Sequence, residues 1–250
     1  MVLDPDKLTR TQTDRLGDRL REGRLSEVDL RALDSYRRSF NEPYESVIEA
    51  IRAHIGLEPT GRPAKSTKSI IDKLNRESIR LSQMQDIAGC RLIVADILAQ
   101  NEVVASLRSA FDRAILIDRR ERPSHGYRAV HLIVPHSNKY VEVQIRTALQ
   151  HVWAEVSEKL SDTVDISIKY GGGDDEIRQL LRRTSRLIAH LEGPELNLSD
   201  HIAKWKYPEL PDDVQGLRDS IVNQRREITE ILDEIAEVFS RKGRDDDLLN

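Results

Sequence analysis

The stretch KYVEVQIRT, residues 139–147, decides the fold. Apolar residues at positions 141, 143 and 145 alternate with Glu142, Gln144 and Arg146. Successive side chains of a β-strand point to opposite faces, so this alternation predicts a strand with one face on an apolar core. The other face places a carboxylate, an amide and a guanidinium side by side, which suits either chemistry or an exposed sheet surface.

Outward from this strand, three more β-rich runs occur at 90–95, 114–118 and 129–135. Helical patterns occupy 98–111, between the first two runs, and 147–160, directly after the strand. Strands interleaved with helices in this order predict an α+β fold with a mixed β-sheet flanked by helices.

The two ends of the chain have helical patterns. Residues 1–60 predict helices at 26–40 and from Asn41, which would act as the N-cap, before the Gly- and Pro-rich break at 56–63. Near 171–173 three glycines predict the end of the compact part, followed by a helix at 174–192, a linker at 193–213 and a long helix at 212–240. The apolar seam of that last helix fits packing on the domain or dimerisation equally well, and its members are Val214, Leu217, Ile221, Ile228, Ile231, Ile235 and Val238.

Composition limits the classes of function. The 250 residues carry a formal net charge of −4, so an anion-binding site must be a local cluster of basic residues. A single cysteine, Cys90, excludes an internal disulfide framework and a Cys-based zinc site. Asp4, Asp6 and Lys7 interrupt any apolar run at the N-terminus, and no stretch has the length of a membrane span. We therefore expect a cytoplasmic protein without a membrane partner.

The first chemical cluster is GRPAKSTKSIIDKL, residues 61–74. It contains Arg62, Lys65, Lys68 and Lys73, and the spacing of Lys65, Ser69 and Lys73 places these three along one helical face. Basic side chains near a helix N-terminus suit a polyphosphate, because free backbone amides also attract anions there. The alternative is a solvated basic face.

Two carboxylates form the second candidate site. Asp86 precedes the strand at 90–95, and Glu142 lies on the polar face of the strand at 139–147. Magnesium takes few protein carboxylates and completes its shell with water and phosphate, so the pair suits a Mg²⁺ site. Glu142 also suits a general base. The alternatives are a turn residue at 86 and an exposed strand face at 142.

The segment RRERPSHGYRAVH, residues 119–131, is the third candidate. Four arginines and two histidines surround a Gly-Tyr corner, where Tyr127 suits stacking on a base and the cations suit phosphates. His125 and His131 lack the spacing of a zinc site.

These segments, in this order, resemble the synthetase domain of the RelA/SpoT family of alarmone synthetases. The family motifs are a basic R-x-K…S-I…K segment, D-x-x-G-x-R before a strand, a G-Y-R-x-H loop, and E-x-Q-I-R-T followed by H-x-W-A-E. The matching residues are Arg62, Lys65, Ser69, Ile70 and Lys73; Asp86, Gly89 and Arg91; Gly126, Tyr127, Arg128 and His131; and Glu142, Gln144, Ile145, Arg146 and Thr147 with His151, Trp153, Ala154 and Glu155.

The resemblance implies a nucleotidyltransferase-like fold and a set of roles. It implies that Mg²⁺ is the cofactor, bound by Asp86 and Glu142, and that Glu142 is also the base for a ribose 3′-hydroxyl. The residues implied to bind ATP are Arg62 and Arg91 at the adenine and Lys65, Ser69 and Lys73 at the phosphates. The residues implied to bind a guanine nucleotide acceptor are Tyr127, Arg128, His131 and Gln144.

Two positions depart from the family pattern. The first motif reads R-P-A-K, one residue longer than R-x-K, which affects the stacking role of Arg62. The acceptor loop reads Pro-Ser-His125-Gly where guanosine-binding members carry a lysine, which only Arg122 loosely replaces.

The resemblance predicts transfer of the β,γ-diphosphate of ATP to the 3′-hydroxyl of GDP or GTP, giving (p)ppGpp. One alternative is a toxin-type synthetase that modifies the 3′-CCA end of tRNA or an adenine nucleotide, with an antitoxin protein as partner. Arg119, Arg120 and Arg122 would then meet the tRNA. Another is a non-catalytic nucleotide- or partner-binding module.

The predicted division of the chain is an N-terminal helical segment (1–60), a synthetase core (61–173) and a C-terminal helical extension (174–250). A homo-oligomer is a further expectation.

Overall fold

The computed structural model describes residues 8–23, 25–207 and 209–247, with side chains up to residue 237. Asp4, Asp6, Lys7 and the side chain of Val238 lie outside this description. The chain divides into two compact units. The first unit comprises residues up to 92, 105–117 and 131–144, and the second comprises 93–104, 118–130 and the residues from 145 onward.

Four helices belong to the first unit: α1 (Arg10–Glu22), α2 (Glu27–Arg38), α3 (Asn41–Ile55) and α4 (Thr67–Arg76). A capping box begins α2, where the Ser26 side chain accepts from the amide of Asp29 and the Asp29 carboxylate accepts from the amide of Ser26. Asn41, in contrast, is not a cap. The backbone of Phe40 is already helical, with φ −93° and ψ −8°, so the helix begins before the Asn41 side chain can reach a free amide.

Five strands form one sheet in the order β1-β2-β5-β4-β3. Their bounds are β1 Thr60–Arg62, β2 Ala88–Val94, β3 Ile115–Asp118, β4 Val130–His136 and β5 Lys139–Thr147. The predicted strand at 139–147 is therefore the central one, and its residues Val141, Val143 and Ile145 are fully buried. The mixed sheet with flanking helices confirms the predicted fold class.

Strand β1 was not predicted, because its sequence lies in the Gly- and Pro-rich break. It pairs antiparallel with β2, and Gly61 lies opposite Cys90. A Cβ on Gly61 would lie 2.4 Å from the carbonyl oxygen of Gly89, so only glycine allows this close approach.

Three long helices dominate the second unit: α6 (Ala148–Thr163), α7 (Asp175–Ala203) and α8 (Asp212–Asp247). Helix α5 (Ile97–Ala110) is divided between the units. Helix α8 packs on α6 and α7, so its apolar seam is used at least in part within the unit. Ile221 and Leu232 are buried there, whereas Leu217 and Ile231 remain about half exposed, at 50% and 48%.

The predicted linker at 193–213 is wrong for its first half, because α7 continues through Pro194 to Ala203. Proline inside a helix removes one hydrogen bond and normally clashes with the preceding residue. Here that residue is Gly193, which has no Cβ, and the buried Leu191 and Glu192 hold the helix on its unit. The glycines at 171–173 do not end the compact part either, because α7, which follows them, packs on α6 within the second unit.

The three-part division of the chain predicted from the sequence stays a prediction. Among the described residues, none of the helices combines the length and apolar composition that crossing a membrane would require.

Candidate functional site

In the first unit, Asp86 is held between two lysines. Lys65 Nζ donates to Asp86 Oδ2, and Lys73 Nζ lies 2.9 Å from Oδ1. The amide of Lys65 also donates to the carbonyl of Ile87 at 2.7 Å, which fixes the start of the basic segment beside the residues that follow Asp86. Helix α4 begins immediately after Lys65, with Ser66 as its N-cap, and it brings Lys73 to the same carboxylate.

The lysines keep this carboxylate ionised. Burial alone would raise the pKa of Asp86, but the charges of Lys65 and Lys73 and the hydrogen bond from Lys65 lower it below the usual value of an aspartate. The side chains of all three residues are less than one fifth exposed, so water screens their charges only partly. Ser69 lies in the first turn of α4, where its hydroxyl accepts from the Ser66 hydroxyl.

Glu142, on the central strand β5, has a different set of partners. Nδ1 of His131 on β4 lies 2.9 Å from Oε1, and Gln144 Nε2 donates to Oε2 at 2.8 Å. Burial raises the pKa of Glu142, and the charge of Asp86 adds to this, but His131 and Gln144 more than offset both and the net pKa is lowered. The protein therefore holds two ionised carboxylates whose charges act on each other.

This donor set fits a magnesium ion. Asp86 Oδ1 is buried and, although Lys73 is at ion-pair distance, no well-formed hydrogen bond reaches it. Among the described residues, no three His, Cys, Asp or Glu side chains gather into a metal-binding group. Two carboxylates without a full protein cage suit Mg²⁺, which prefers oxygen ligands and keeps waters and phosphates in its shell. Asp86 and Glu142 would hold the ion.

The two arginines predicted at the adenine lie on adjacent strands. Arg62 pairs with Gly89 across β1 and β2, and Arg91 lies two residues beyond Gly89 on the same face. Diagonal neighbours of this kind are about 7 Å apart, which leaves room for one planar ring between two guanidinium groups. Arg62 is exposed and Arg91 partly buried, and the extra residue in R-P-A-K does not separate them.

In the second unit, contacts of the Tyr127 hydroxyl and of the neighbouring Gly126 fix the loop that carries Tyr127. Arg146 Nη2 donates to the Tyr127 hydroxyl at 3.0 Å, and the guanidinium lies 5.1 Å from the ring centroid. Gly126, with φ +100°, lies against the Trp153 ring, where a Cβ would come within 2.7 Å of Cζ2. Trp153 Nε1 donates to the carbonyl of Leu181 at 2.8 Å, so the ring cannot move aside.

Helix α7 supports the same loop. Ser185 Oγ donates to the Gly126 carbonyl at 2.6 Å and accepts from Arg128 Nε at 3.0 Å. Arg128 Nη1 donates to the Arg120 carbonyl at 2.6 Å, so this side chain is used to hold the loop. Burial lowers the pKa of Arg128, and the charge of Glu192 partly offsets this.

A profile described as "Region found in RelA / SpoT proteins" matches residues 61–162. GTP pyrophosphokinase YjbM of Bacillus subtilis is 31% identical over 149 residues, which cover 53% of this chain and 67% of that protein. The chain belongs to the RelA/SpoT family. An uncharacterized protein of Mycobacterium tuberculosis is 34% identical over 154 residues, 58% of this chain, and the match spans only 55% of that relative.

Solved structures give the same RelA/SpoT relationship. The small alarmone synthetase 1 of Bacillus subtilis, bound to its product pppGpp, matches with a TM-score of 0.51 and 25% identity, over 67% of this chain and 94% of that one. A GTP pyrophosphokinase family protein of Streptococcus pneumoniae matches with a TM-score of 0.52 and 29% identity, over 71% and 96%. The RelA/SpoT resemblance and the fold class predicted from the sequence are thereby confirmed.

Within this RelA/SpoT domain, the predicted site residues form two sets. In the first unit, Lys65, Lys73, Asp86 and Glu142 have direct partners among the predicted residues. His131 and Gln144 belong to the same set, because in the structure both contact Glu142, the residue predicted as the base. Tyr127 and Arg128 lie in the second unit.

Three supporting residues were missed by sequence reasoning. Arg146 and Trp153 belong to the family motifs, but the motifs alone do not indicate that they support the Tyr127 loop. Ser185 had no sequence signal, since it is one serine on a polar helix. Arg120, considered for a nucleic-acid contact, points inward: its guanidinium binds Asp118 and the side-chain oxygens of Gln100 and Asn101.

Proposed function

We propose that this RelA/SpoT chain is a magnesium-dependent pyrophosphokinase that transfers the β,γ-diphosphate of ATP to the 3′-hydroxyl of GDP or GTP. The observation that carries the proposal is the pair of ionised carboxylates in the first unit. Asp86 is held by two lysines, whereas Glu142 is held by a histidine and an amide. A binding module for a phosphate would have no use for two buried negative charges beside its lysines.

ATP binding uses the lysines that hold Asp86. Each ammonium group has three donors, so Lys65 and Lys73 can keep a bond to Asp86 and donate to phosphate oxygens as well. Arg62 and Arg91 receive the adenine between their planes. The N-terminus of α4, with Ser69 in its first turn, adds a positive helix end.

When bound at Asp86 and Glu142, Mg²⁺ would neutralise part of the negative charge of the ATP phosphates. The lowered pKa values of both carboxylates keep them in the ionised form that such an ion requires. Catalysis of this kind depends on positioning and on charge stabilisation more than on covalent chemistry.

Glu142 serves as the base for the acceptor. It takes the proton of the ribose 3′-hydroxyl as that oxygen attacks the β-phosphorus of ATP. The bond between the β-phosphorus and the α,β-bridging oxygen breaks, and AMP leaves with the electron pair. The hydrogen bonds from His131 and Gln144 fix the carboxylate for this transfer.

Two relatives support the assignment of a guanine nucleotide as the acceptor. One is named a GTP pyrophosphokinase, and another binds its product pppGpp. Tyr127 is the residue we assign to stacking on the acceptor base, because its ring is fixed by Arg146. The tRNA alternative has less support, because Arg120 is occupied by Asp118, Gln100 and Asn101.

Purified protein incubated with Mg²⁺, γ-³²P-labelled ATP and separate samples of GDP, GTP, ADP or deacylated tRNA tests the proposal. We expect label on GDP and GTP, with one AMP released for each label transferred. Label on tRNA or ADP alone would overturn the guanine assignment and leave the transferase intact. No label on any acceptor, with ATP still bound, would favour a non-catalytic binding module.

A further inference from the structure

The first unit contains a cavity that shares no residue with the candidate site. Its volume is about 1310 Å³, and its walls come from the start of α1, the end of α2, residues 82–85 and the hairpin between β4 and β5. A volume of this order accommodates a ligand of drug or nucleotide size.

The charged side chains that line this cavity, among the described residues, are basic. Its lining includes Arg10, Arg113, Lys139 and His136, and no described aspartate or glutamate takes part in it. His136 pairs with Glu42 at 3.2 Å, so three cations remain without a described carboxylate partner. In a protein with a net charge of −4, such a cluster creates a local positive potential.

Lys139 is the central feature of the lining. Its ammonium lies 4.3 Å from the centroid of the Tyr36 ring and 4.6 Å from that of Phe40. The side chain is partly buried, and burial lowers the pKa of Lys139 below its usual value. No described residue accepts a hydrogen bond from this ammonium. The two rings stabilise the charge but accept no conventional hydrogen bond, which leaves its three donors available to a ligand.

The remaining lining favours phosphate among the anions. Hydroxyl groups are abundant, and the first turn of α1 adds the positive end of a helix. Arginine at the rim matches the several terminal oxygens of a phosphate group. Apolar walls then accommodate the body of the ligand, and they are formed by Leu8, Phe40, Met84 and Pro135.

A tight turn between β4 and β5 forms one wall of the cavity. Ser137 and Asn138, which connect β4 to β5, have φ values of +46° and +61°. Positive φ at both positions is typical of a two-residue type I′ turn, but serine rarely adopts it without cost. The tight turn brings Lys139 next to His136 at the cavity wall.

We propose that this cavity binds a small phosphate monoester with an apolar or aromatic body, and that Lys139 is its main anchor. The proposal does not depend on the transferase activity, since no proposed catalytic or ATP-binding residue lines the cavity.

Saturation-transfer NMR with phenyl phosphate tests the proposal on the full chain. We expect Lys139→Gln to weaken binding about tenfold, because a charge-assisted hydrogen bond is lost. Lys73→Gln, the matched change in the candidate active site, should leave the dissociation constant within about twofold. Lys139→Arg should retain most of the binding.

Each other outcome counts against the proposal. Binding that survives Lys139→Gln would show that Lys139 is not the anchor, and binding that is lost in Lys73→Gln alone would place the phosphate in the active site. Benzoate binding as tightly as phenyl phosphate would overturn the choice of phosphate. If Lys139→Gln loses its thermal transition, Arg113→Gln takes its place, because it removes a cation from the exposed rim without disturbing the rings; unchanged affinity in that variant would also contradict the site.

Discussion

Nδ1 of His131 lies 2.9 Å from Oε1 of Glu142, and the two residues stand on neighbouring strands of the sheet. The contact fixes one carboxylate oxygen, and Gln144 fixes the other at 2.8 Å. Both partners stabilise the ionised form of Glu142 against burial. A residue that the resemblance implied at the acceptor is therefore positioned to control the proposed base.

Replacing Glu142 with glutamine should abolish transfer while ATP still binds. The amide keeps the shape of the side chain but cannot take the hydroxyl proton, and a general base contributes about 10²–10⁴-fold to a rate. The measurement is the turnover of labelled ATP together with its dissociation constant. Glu49→Gln, an exposed change on α3, is the control and should keep full activity. Substantial turnover in Glu142→Gln would remove this residue from the role of base.

Replacing His131 with alanine should move the acidic limb of the pH–rate profile to higher pH. Burial and the charge of Asp86 raise the pKa of Glu142, and His131 is the largest opposing influence. Without it the pKa rises, so the base becomes protonated at a higher pH than in the unchanged protein. His131→Asn, which retains a donor, should give an intermediate profile. His54→Ala, on an exposed face of α3, should leave the profile unchanged. An unshifted profile in His131→Ala would mean that His131 does not tune Glu142.

Replacing Gly126 with alanine should weaken acceptor binding and leave ATP binding intact. The residue has φ +100°, and the new Cβ would meet the Trp153 ring at 2.7 Å. Positive φ in a residue other than glycine costs about 1–3 kcal/mol, and the loop relieves this only by moving. The KM for the acceptor should rise several-fold at constant KM for ATP. Gly216→Ala, where a Cβ meets nothing within 4 Å, is the control. An equal rise in both KM values would point to general misfolding.

Replacing Glu192 with alanine should lower the free energy of unfolding by about 1–3 kcal/mol. This buried carboxylate on α7 accepts from the Thr147 hydroxyl at 2.6 Å and from the Gln150 amide at 3.0 Å. Chemical denaturation measures the loss, and Glu158→Ala, on the exposed side of α6, should change little.

The loss in Glu192→Ala should also depend on pH. Burial raises the pKa of Glu192, and its hydrogen bonds to Thr147 and Gln150 only partly offset this. A carboxyl group with a raised folded-state pKa contributes stability that is fully present below its unfolded pKa and lost as the pH rises through the folded value. The difference between the two proteins should therefore be larger near pH 4 than near pH 8. A difference that grows with pH would contradict the raised pKa.

Local pattern was sufficient for most of the secondary structure. The strand at 139–147 and the helix at 26–40 were predictable because their periods and caps are encoded in consecutive residues. Strand β1 and the second half of α7 were not, since Gly61 and Pro194 are local breakers whose conformations depend on distant neighbours. Position 61 requires glycine because β2 approaches it closely, and Pro194 is tolerated because Leu191 and Glu192 before it and Glu195 after it are buried.

The sequence by itself determined the family and the chemical types at the candidate site, because ordered motifs carry Lys65, Asp86 and Glu142 at recognisable spacings. Only the tertiary structure decided the partners of these charges: two lysines for Asp86, and His131 and Gln144 for Glu142. The physical reason is that the pKa of a buried carboxylate depends on charges and donors brought from other strands and helices. Spacing along one segment determines which residues share a face, whereas folding determines which charge each face meets.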